Sequence, residues 1–139
     1  MTDKTSYAFL ERLRNPSLAS LLVRIALGLV FVNAGWLKIA DMESTAFFFG
    51  KIGFPAILAY YVAYIEFLGG IFLILGAFVE YVGILLAINM FVVIKLFFSK
   101  GFSLASGGYE YALVLALCSL AIAFLGAGKY SIKYWLKNK

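Results

Sequence analysis

The sequence predicts an all-α integral membrane protein, a four-helix bundle with a short interfacial helix between its first two helices. Hydrophobic residues make up 64% of the 139-residue chain and charged residues 14%, compared with about 45–50% and about 25% in soluble domains. Four apolar runs, at residues 17–40, 55–79, 80–98 and 109–126, are close to the length of about 20 residues that a spanning helix needs. None alternates like a strand, and a backbone in lipid must satisfy its hydrogen bonds within the segment. We expect one membrane domain over residues 1–139.

Local signals set the ends of these runs. Pro16 and Pro55 open the first and second runs, as proline often does in the first turn of a helix. Glu80 and Tyr81 predict a tight turn between the second and third runs, and a Ser/Gly-rich connection ending at Gly108 precedes the fourth. The first run, at about 24 residues, is too long for a signal peptide, so we expect it to be retained.

Two further segments combine aromatic and charged residues. Residues 41–54 hold four phenylalanines between charged residues, which predicts a short helix at the bilayer surface. The tail, residues 129–139, combines Tyr130, Tyr134 and Trp135 with four lysines. This pattern predicts a segment on an anionic leaflet, where each lysine contributes about 1 kcal/mol. The lipid bilayer is therefore the first expected partner.

The distribution of cations indicates the orientation. An even number of spans places both termini on one side of the membrane. Seven cations flank the termini and four lie at the opposite ends of the runs: Lys4, Arg12, Arg14, Lys129, Lys133, Lys137 and Lys139 against Lys38, Lys51, Lys95 and Lys100. Because short loops rich in Lys and Arg stay inside, we expect both termini in the cytoplasm. Basic residues that cluster at segment ends also give no basis for a nucleic-acid partner.

The residue types present exclude several kinds of site. The chain has no histidine and a single cysteine, Cys118, so we expect no haem, iron–sulfur or zinc site. No glycine-rich phosphate loop or nucleophile elbow occurs in the sequence. Redox or transfer chemistry would therefore use Glu, Lys, Arg, Asn, Tyr or Cys side chains, a bound ligand, or a partner chain.

A first polar layer is predicted near the middle of the membrane, with one side chain from each run: Arg24, Glu66, Asn89 and Cys118. A charge at this depth costs about 2.5–3.5 kcal/mol, so it needs a partner, water or a function. Depths counted at about 1.5 Å per residue predict a contact between Arg24 and Glu66, direct or through one water. The pair either braces the bundle or serves a ligand or a proton. Asn89 fits interhelical packing or ligand binding, and Cys118 fits apolar packing.

A second polar layer is predicted near the outer surface, from Asn33, Lys38, Lys95 and Glu110. Two cations beside one carboxylate suit a small anion or a polarisable oxygen better than a metal. Both lysines also fit simple snorkelling at helix ends, and Glu110 fits a structural role equally well. Asn33 falls on the opposite face of its helix from Arg24, so we expect it to contact a different helix or a second protomer.

Helical periodicity predicts which faces turn inward. Steps of about 100° per residue place small and charged residues on common stripes. These stripes are Arg24, Gly28, Phe31, Gly35 and Lys38 in the first run, Ala59, Ala63, Glu66, Gly70, Leu73 and Ala77 in the second, and Ala112, Ala116, Ser119 and Ala123 in the fourth. Small residues let helices approach closely in membranes. We therefore expect the charges to face neighbouring helices.

The order of these residues resembles the DoxX family of small bacterial membrane proteins. The resemblance rests on Arg24–Phe31 with Gly35–Lys38, on Glu66–Gly76, on Tyr109–Tyr111 and on Gly126–Ser131. Together these stretches extend over nearly the whole chain. The resemblance implies a four-helix bundle in the cytoplasmic (inner) membrane of a bacterium or archaeon.

The resemblance also implies membrane redox chemistry. Similar proteins include the DoxD subunit of thiosulfate:quinone oxidoreductase and proteins associated with quinone or catechol reduction and oxidative-stress complexes. The chain is therefore expected to be a quinone-linked oxidoreductase subunit that works with a redox partner protein or as a homo-oligomer. In this hypothesis Lys38 or Lys95 polarises a carbonyl oxygen, and Glu66 or Glu110 moves the proton.

Three more residues, Arg24, Asn33 and Asn89, are expected to help bind a small ring or anion. Lys133 stands where the family often has Asp, so the tail lacks an anion that a shared contact would use.

The alternative function is non-enzymatic, because family membership alone does not establish an activity. In that case the bundle transports a small solute or assembles with another membrane protein.

Overall fold

The computed structural model describes residues 4–139, and this part of the chain folds into helices without strands. The helices are α1 (Lys4–Leu13), α2 (Pro16–Ala40), α3 (Met42–Lys51), α4 (Ala56–Leu75), α5 (Val79–Phe97), α6 (Glu110–Leu125) and α7 (Ile132–Lys137). Three of them, α2, α4 and α5, are long and apolar enough to cross a membrane, and α6 is apolar but shorter, at 16 residues. The predicted fold class, an all-helical membrane bundle, is confirmed.

Side-chain caps start two of these helices. The Asn15 side chain accepts a hydrogen bond of 3.0 Å from the Leu18 N–H, and Pro16 occupies the first helical position of α2. The Asp41 carboxylate accepts a bond of 3.1 Å from the Ser44 N–H and so starts α3. Hydrogen bonds from Ser44 lower the pKa of the Asp41 carboxyl. Both caps pair N–H groups that the first turn of a helix leaves free.

The turn between α4 and α5 lies earlier than predicted. The last residue of α4 is Leu75, because Gly76 adopts φ 76° in the left-handed region that glycine tolerates. Phe78 also has a positive φ, of 52°, and α5 starts directly after it. Glu80 and Tyr81, predicted at the turn, therefore belong to the first turn of α5.

Helices α2, α4, α5 and α6, which we call the four long helices, form a ring. In this ring α2 packs on α4, α4 on α5, α5 on α6, and α6 on α2. The closest approach joins α2 and α4. A Cβ atom at Gly35 would lie 2.7 Å from the Phe67 Cα and 2.8 Å from the Ala63 carbonyl oxygen. A Cβ atom at Gly70 would lie 2.7 Å from the Val32 nitrogen. Glycine is therefore needed where the two backbones touch.

The predicted inward stripes are the buried faces of these helices. All of their members are buried except Lys38 and Ala77, which are partly exposed. Phe31 and Leu73 belong to the apolar core and are fully buried. The interior thus combines large apolar side chains with small residues at helix contacts.

Both ends of the chain meet at one end of the bundle. The Ser20 hydroxyl donates a bond of 2.6 Å to the Gly126 carbonyl, and the Lys129 N–H donates one of 3.2 Å to the Ser17 hydroxyl. We call this the terminal end, and we call the opposite end, which carries α3 and the connection between α5 and α6, the loop end. At the loop end, α3 lies against α4, in the segment for which an interfacial helix is predicted.

The terminal end also carries two short exposed helices, α1 and α7. The first of these, α1, was not predicted from the sequence. The tail helix α7 is held to the start of α5 by an exposed ion pair of 2.6 Å between the Lys133 ammonium and the Glu80 carboxylate. Lys133, at the position where the resembled family often has Asp, thus makes a contact that an Asp would not make with Glu80.

Candidate functional site

A cavity of about 500 Å³ lies in the loop-end half of the bundle, between α2, α4, α5 and α6 and beneath α3. Most of its lining is apolar. Its polar side chains are Asn33, Lys38, Glu66, Asn89 and Tyr111. A mostly apolar cavity of this size with a few convergent polar groups is typical of small-molecule sites. We call it the central cavity.

Glu66 is the buried charge of the central cavity, with a side chain 2% exposed. One carboxylate oxygen, Oε2, forms an ion pair with the Lys38 ammonium. The other, Oε1, accepts a hydrogen bond of 2.8 Å from the Asn89 side-chain amide. The three side chains come from α2, α4 and α5, so this polar cluster joins three of the four long helices.

Helix geometry explains why Lys38 and Glu66 meet. Side chains on a helix point back toward its N-terminus. Lys38 lies in the last turn of α2, so its chain points from the loop end toward the middle of the bundle. Glu66 lies on the antiparallel α4 and points the opposite way, toward the loop end. The close contact at Gly35 keeps the two helices near enough for the ion pair.

The electrostatics of the cluster are asymmetric. Both carboxylate oxygens of Glu66 are engaged within the protein, whereas the Lys38 side chain is 30% exposed. An ammonium has three donors, so Lys38 keeps donors for a ligand while it neutralises Glu66. The arrangement suits a ligand with a hydrogen-bond acceptor such as a carbonyl or phenolate oxygen.

The expected contact between Arg24 and Glu66 is wrong. The Arg24 guanidinium is fully buried and donates to the carbonyl oxygens of Leu73 at 3.0 Å, Ile74 at 3.3 Å, and Tyr130. Leu73 and Ile74 lie two turns from Glu66 along α4, which is about 10–12 Å at 1.5 Å per residue. A single water spans only about 5–6 Å between two hydrogen-bonded groups.

The direction of the Arg24 side chain accounts for this result. Arg24 also points toward the N-terminus of α2, which is the terminal end, and so away from Glu66. There it meets the carbonyl groups of Leu73 and Ile74 in the last turn of α4, the first of which also accepts a bond of 3.2 Å from the Gly76 N–H, and a cation is favourable at a helix C-terminus. Arg24 therefore joins α2, α4 and the segment after α6, and it does not line the central cavity.

The second predicted layer is divided among three places. Asn33 and Lys38 line the central cavity, and Lys95 is exposed and lines a neighbouring cavity of about 360 Å³. The Glu110 carboxylate accepts a bond of 2.9 Å from the Leu104 N–H and holds the loop before α6. Lys95 and Glu110 are thus apart from the Glu66 cluster. Asn89 lines both cavities.

Aromatic residues of the central cavity were not predicted as site residues. Phe48, Phe49 and Phe54 line it from α3 and the following connection, and Tyr111 lines it from α6. Their sequence pattern is that of an interfacial anchor, so the pattern alone did not distinguish a cover over a cavity from a helix lying on lipid. Within residues 4–139, no group of three His, Cys, Asp or Glu side chains is placed to hold a metal ion.

Comparison with known proteins gives two findings about the family. The family profile described as DoxX matches residues 19–100. A protein of Bacillus subtilis (strain 168), described as "Putative oxidoreductase CatD", is 33% identical over 105 residues, which cover 76% of this chain and 78% of that protein. No solved structure matches the chain. The residues matched by the family profile include Lys38, Glu66 and Asn89.

Proposed function

Since this chain belongs to the DoxX family, we propose that it is a membrane oxidoreductase that binds a quinone or the corresponding quinol in the central cavity. The similarity to a Bacillus subtilis protein described as an oxidoreductase supports the reaction class. The observation that carries the proposal is the cluster of Lys38, Glu66 and Asn89 at the wall of an otherwise apolar cavity.

The shape and chemistry of the cavity fit a substituted ring. Its volume of about 500 Å³ lies within the range of small-molecule pockets, about 300–1,000 Å³. Phe49 and Phe54 supply aromatic surface for the faces of a ring, and aromatic groups pack favourably edge to face or offset. Lys38 supplies the donor that a ring oxygen requires.

In this proposal Lys38 binds and polarises the ring oxygen. Negative charge develops on that oxygen as electrons enter the ring, and a fixed ammonium in an apolar cavity stabilises it. Glu66 exchanges the proton through its ion pair with Lys38, and Asn89 holds the carboxylate in place. Reduction of a quinone to a quinol takes two electrons and two protons. The protons enter at the loop end through Lys38, and the electrons come from a redox partner protein or a bound donor.

Orientation and partners form part of the same proposal. The terminal end carries the basic residues of α1 and α7, so we place it in the cytoplasm, with the protein in the cytoplasmic membrane. The central cavity then lies in the outer half of the bilayer. A redox partner protein or a bound donor supplies the electrons, and assembly with a second copy of the chain is a separate part of the proposal.

The direct test uses the purified full-length protein in liposomes with a water-soluble benzoquinone. We expect saturable binding that Lys38→Met and Glu66→Gln weaken by about 10-fold or more, with Lys100→Met as the matched control because Lys100 is exposed and outside the cavity. Turnover with a chemical electron donor should fall in the same two variants. Solute flux across the liposomes without quinone binding would instead support the transporter alternative and overturn the proposal.

A further inference from the structure

Three neighbouring cavities have α4 and α5 in their walls. The central cavity adjoins a second cavity of about 360 Å³, and the second adjoins a third of about 490 Å³ nearer the terminal end. The first two share Phe49, Phe54, Val62, Asn89 and Val92, and the last two share Tyr61, Ile65 and Leu85. The three spaces are therefore neighbours that share parts of their walls. We call the second and third cavities together the α4–α5 groove.

The groove differs from the central cavity in chemistry and exposure. Its charged lining residue is Lys95, at the loop end, and the third cavity has an almost wholly apolar surface. Leu68, Leu85 and Tyr61 are large, exposed, and face outward on the bundle surface. On α4 the third cavity extends from Ile57 to Phe72, about 22 Å at 1.5 Å per residue. The groove is therefore a long apolar channel open to lipid.

The packing of the helices explains why the groove exists. Although a three-residue turn joins α4 and α5, these helices pack together less closely than α2 with α4 or α5 with α6. Gly69 lies in the wall of the third cavity, and a Cβ atom there would come within 3.3 Å of the Val82 side chain. The two helices therefore touch at Gly69, and the groove lies along the outer side of this contact, where Leu68 and Leu85 are exposed.

We propose that the substrate carries a long hydrocarbon tail that lies in the α4–α5 groove while its ring occupies the central cavity. The inference rests on the proposed function and names its substrate class as a tailed, membrane-resident quinone. Val62 and Asn89 line both spaces, so in this proposal the ring joins the tail beside them. The groove shares walls with the cavity that holds the Lys38–Glu66 cluster, and this proximity favours a substrate tail over the acyl chain of a bulk phospholipid.

The test compares one quinone ring with and without a decyl tail, bound to the full-length protein in lipid nanodiscs. Leu85→Trp fills the groove where its two cavities meet, at a side chain that is already exposed. Leu117→Trp on α6 is the matched control, because Leu117 is exposed and lines neither cavity. Partitioning into the bilayer is the same for all variants, so their comparison isolates the groove.

We expect Leu85→Trp to weaken binding of the tailed quinone by about 10-fold and to change binding of the tail-less ring by less than about twofold. Leu117→Trp should change neither. As a second measurement that needs no variant, a tailed quinone with a photoreactive tail end should label peptides of α4 and α5 in the wild-type protein. Labelling elsewhere, equal losses for both compounds, or no loss with Leu85→Trp would overturn the inference.

The two proposals fail separately in this experiment. If the tail-less ring binds and turns over as well as the tailed quinone does, the inference about the groove is wrong and the proposed oxidoreductase function is unaffected. If the tailed quinone binds and labels the groove but is never reduced or oxidised, the proposed oxidoreductase function is wrong and the inference about the groove is unaffected. A photoreactive phospholipid that labels the groove and is not displaced by the tailed quinone identifies a lipid site and also overturns the inference.

Discussion

Lys38 and Glu66 lie 28 positions apart in the sequence and form an ion pair at the wall of the central cavity. The Glu66 side chain is 2% exposed and the Lys38 side chain is 30% exposed, so the pair joins a buried carboxylate to a cation that a ligand can still reach. Burying the carboxylate is acceptable because Lys38 balances its charge and Asn89 donates to its second oxygen. This relationship underlies the first prediction.

Removing Lys38 should cost more stability than removing the charge of Glu66. Lys38→Met leaves a buried carboxylate without its cation, for which we expect a loss of about 3–5 kcal/mol. Glu66→Gln leaves a partly exposed ammonium that water can solvate, so the loss should be about 1–3 kcal/mol. Thermal unfolding of each variant in detergent measures the difference.

The double variant distinguishes a structural role of the Lys38–Glu66 pair from a role in the reaction. Lys38→Met with Glu66→Gln removes both charges, so its stability should return most of the way to that of the wild type. Under the proposed function it should remain folded and inactive toward quinones. A stable double variant with wild-type turnover would reduce the pair to a structural brace.

Arg24→Lys should reduce stability while leaving the site intact. A lysine keeps the charge but lacks the planar fork with which Arg24 donates to the carbonyls of Leu73, Ile74 and Tyr130. A lysine would pair with fewer of these carbonyls, and a buried acceptor left without a donor costs about 1–3 kcal/mol. We expect a lower unfolding temperature with unchanged quinone affinity below it. The matched control is Arg12→Lys on the exposed α1, which should change neither quantity.

Gly35→Ala should disrupt the contact between α2 and α4. The new methyl group would come 2.7 Å from the Phe67 Cα and 2.8 Å from the Ala63 carbonyl oxygen. Because backbone atoms cannot move aside like side-chain ends, we expect a loss of about 1–3 kcal/mol and weaker ring binding as Lys38 separates from Glu66.

The control for this substitution is Gly50→Ala on α3. Gly50 is helical, and a Cβ atom there would meet no heavy atom within 4 Å beyond its chain neighbours and the backbone of its own helix, so alanine should be neutral or should stabilise by about 0.5–1 kcal/mol. Unfolding temperatures of the two variants give the comparison. Equal effects would mean that the close approach at Gly35 is not needed.

Membrane orientation can be measured by cysteine labelling in a Cys118→Ala background. Ser103 lies at the loop end and Asn138 at the terminal end, and both are exposed. With the termini in the cytoplasm, an impermeant maleimide should label Ser103→Cys in intact cells and miss Asn138→Cys until the cells are lysed. The reverse pattern would place the central cavity in the inner half of the membrane.

The spans and the buried faces could be predicted because both depend on local periodicity. Residues such as Gly28, Phe31 and Gly35 are three and four positions apart and so lie on one face of a helix. That face is buried by any helix that packs against it. Of the residues predicted for the site, Lys38, Glu66, Asn89 and Asn33 line one cavity. The sequence placed Glu66 with Asn89 in one layer and Lys38 with Asn33 in another; it did not predict that the two layers meet, because depths were counted from Cα positions.

The amino-acid sequence by itself determined an all-helical membrane bundle, its family, and the residues available for chemistry, since these follow from composition, period and residue order. Only the tertiary structure decided that Glu66 pairs with Lys38 and that Arg24 binds backbone carbonyls instead. The physical reason is direction. A side chain several ångströms long points toward the N-terminus of its helix, so its partner depends on the register of two antiparallel helices as well as on depth. The gap between α4 and α5 likewise results from packing, which no single segment specifies.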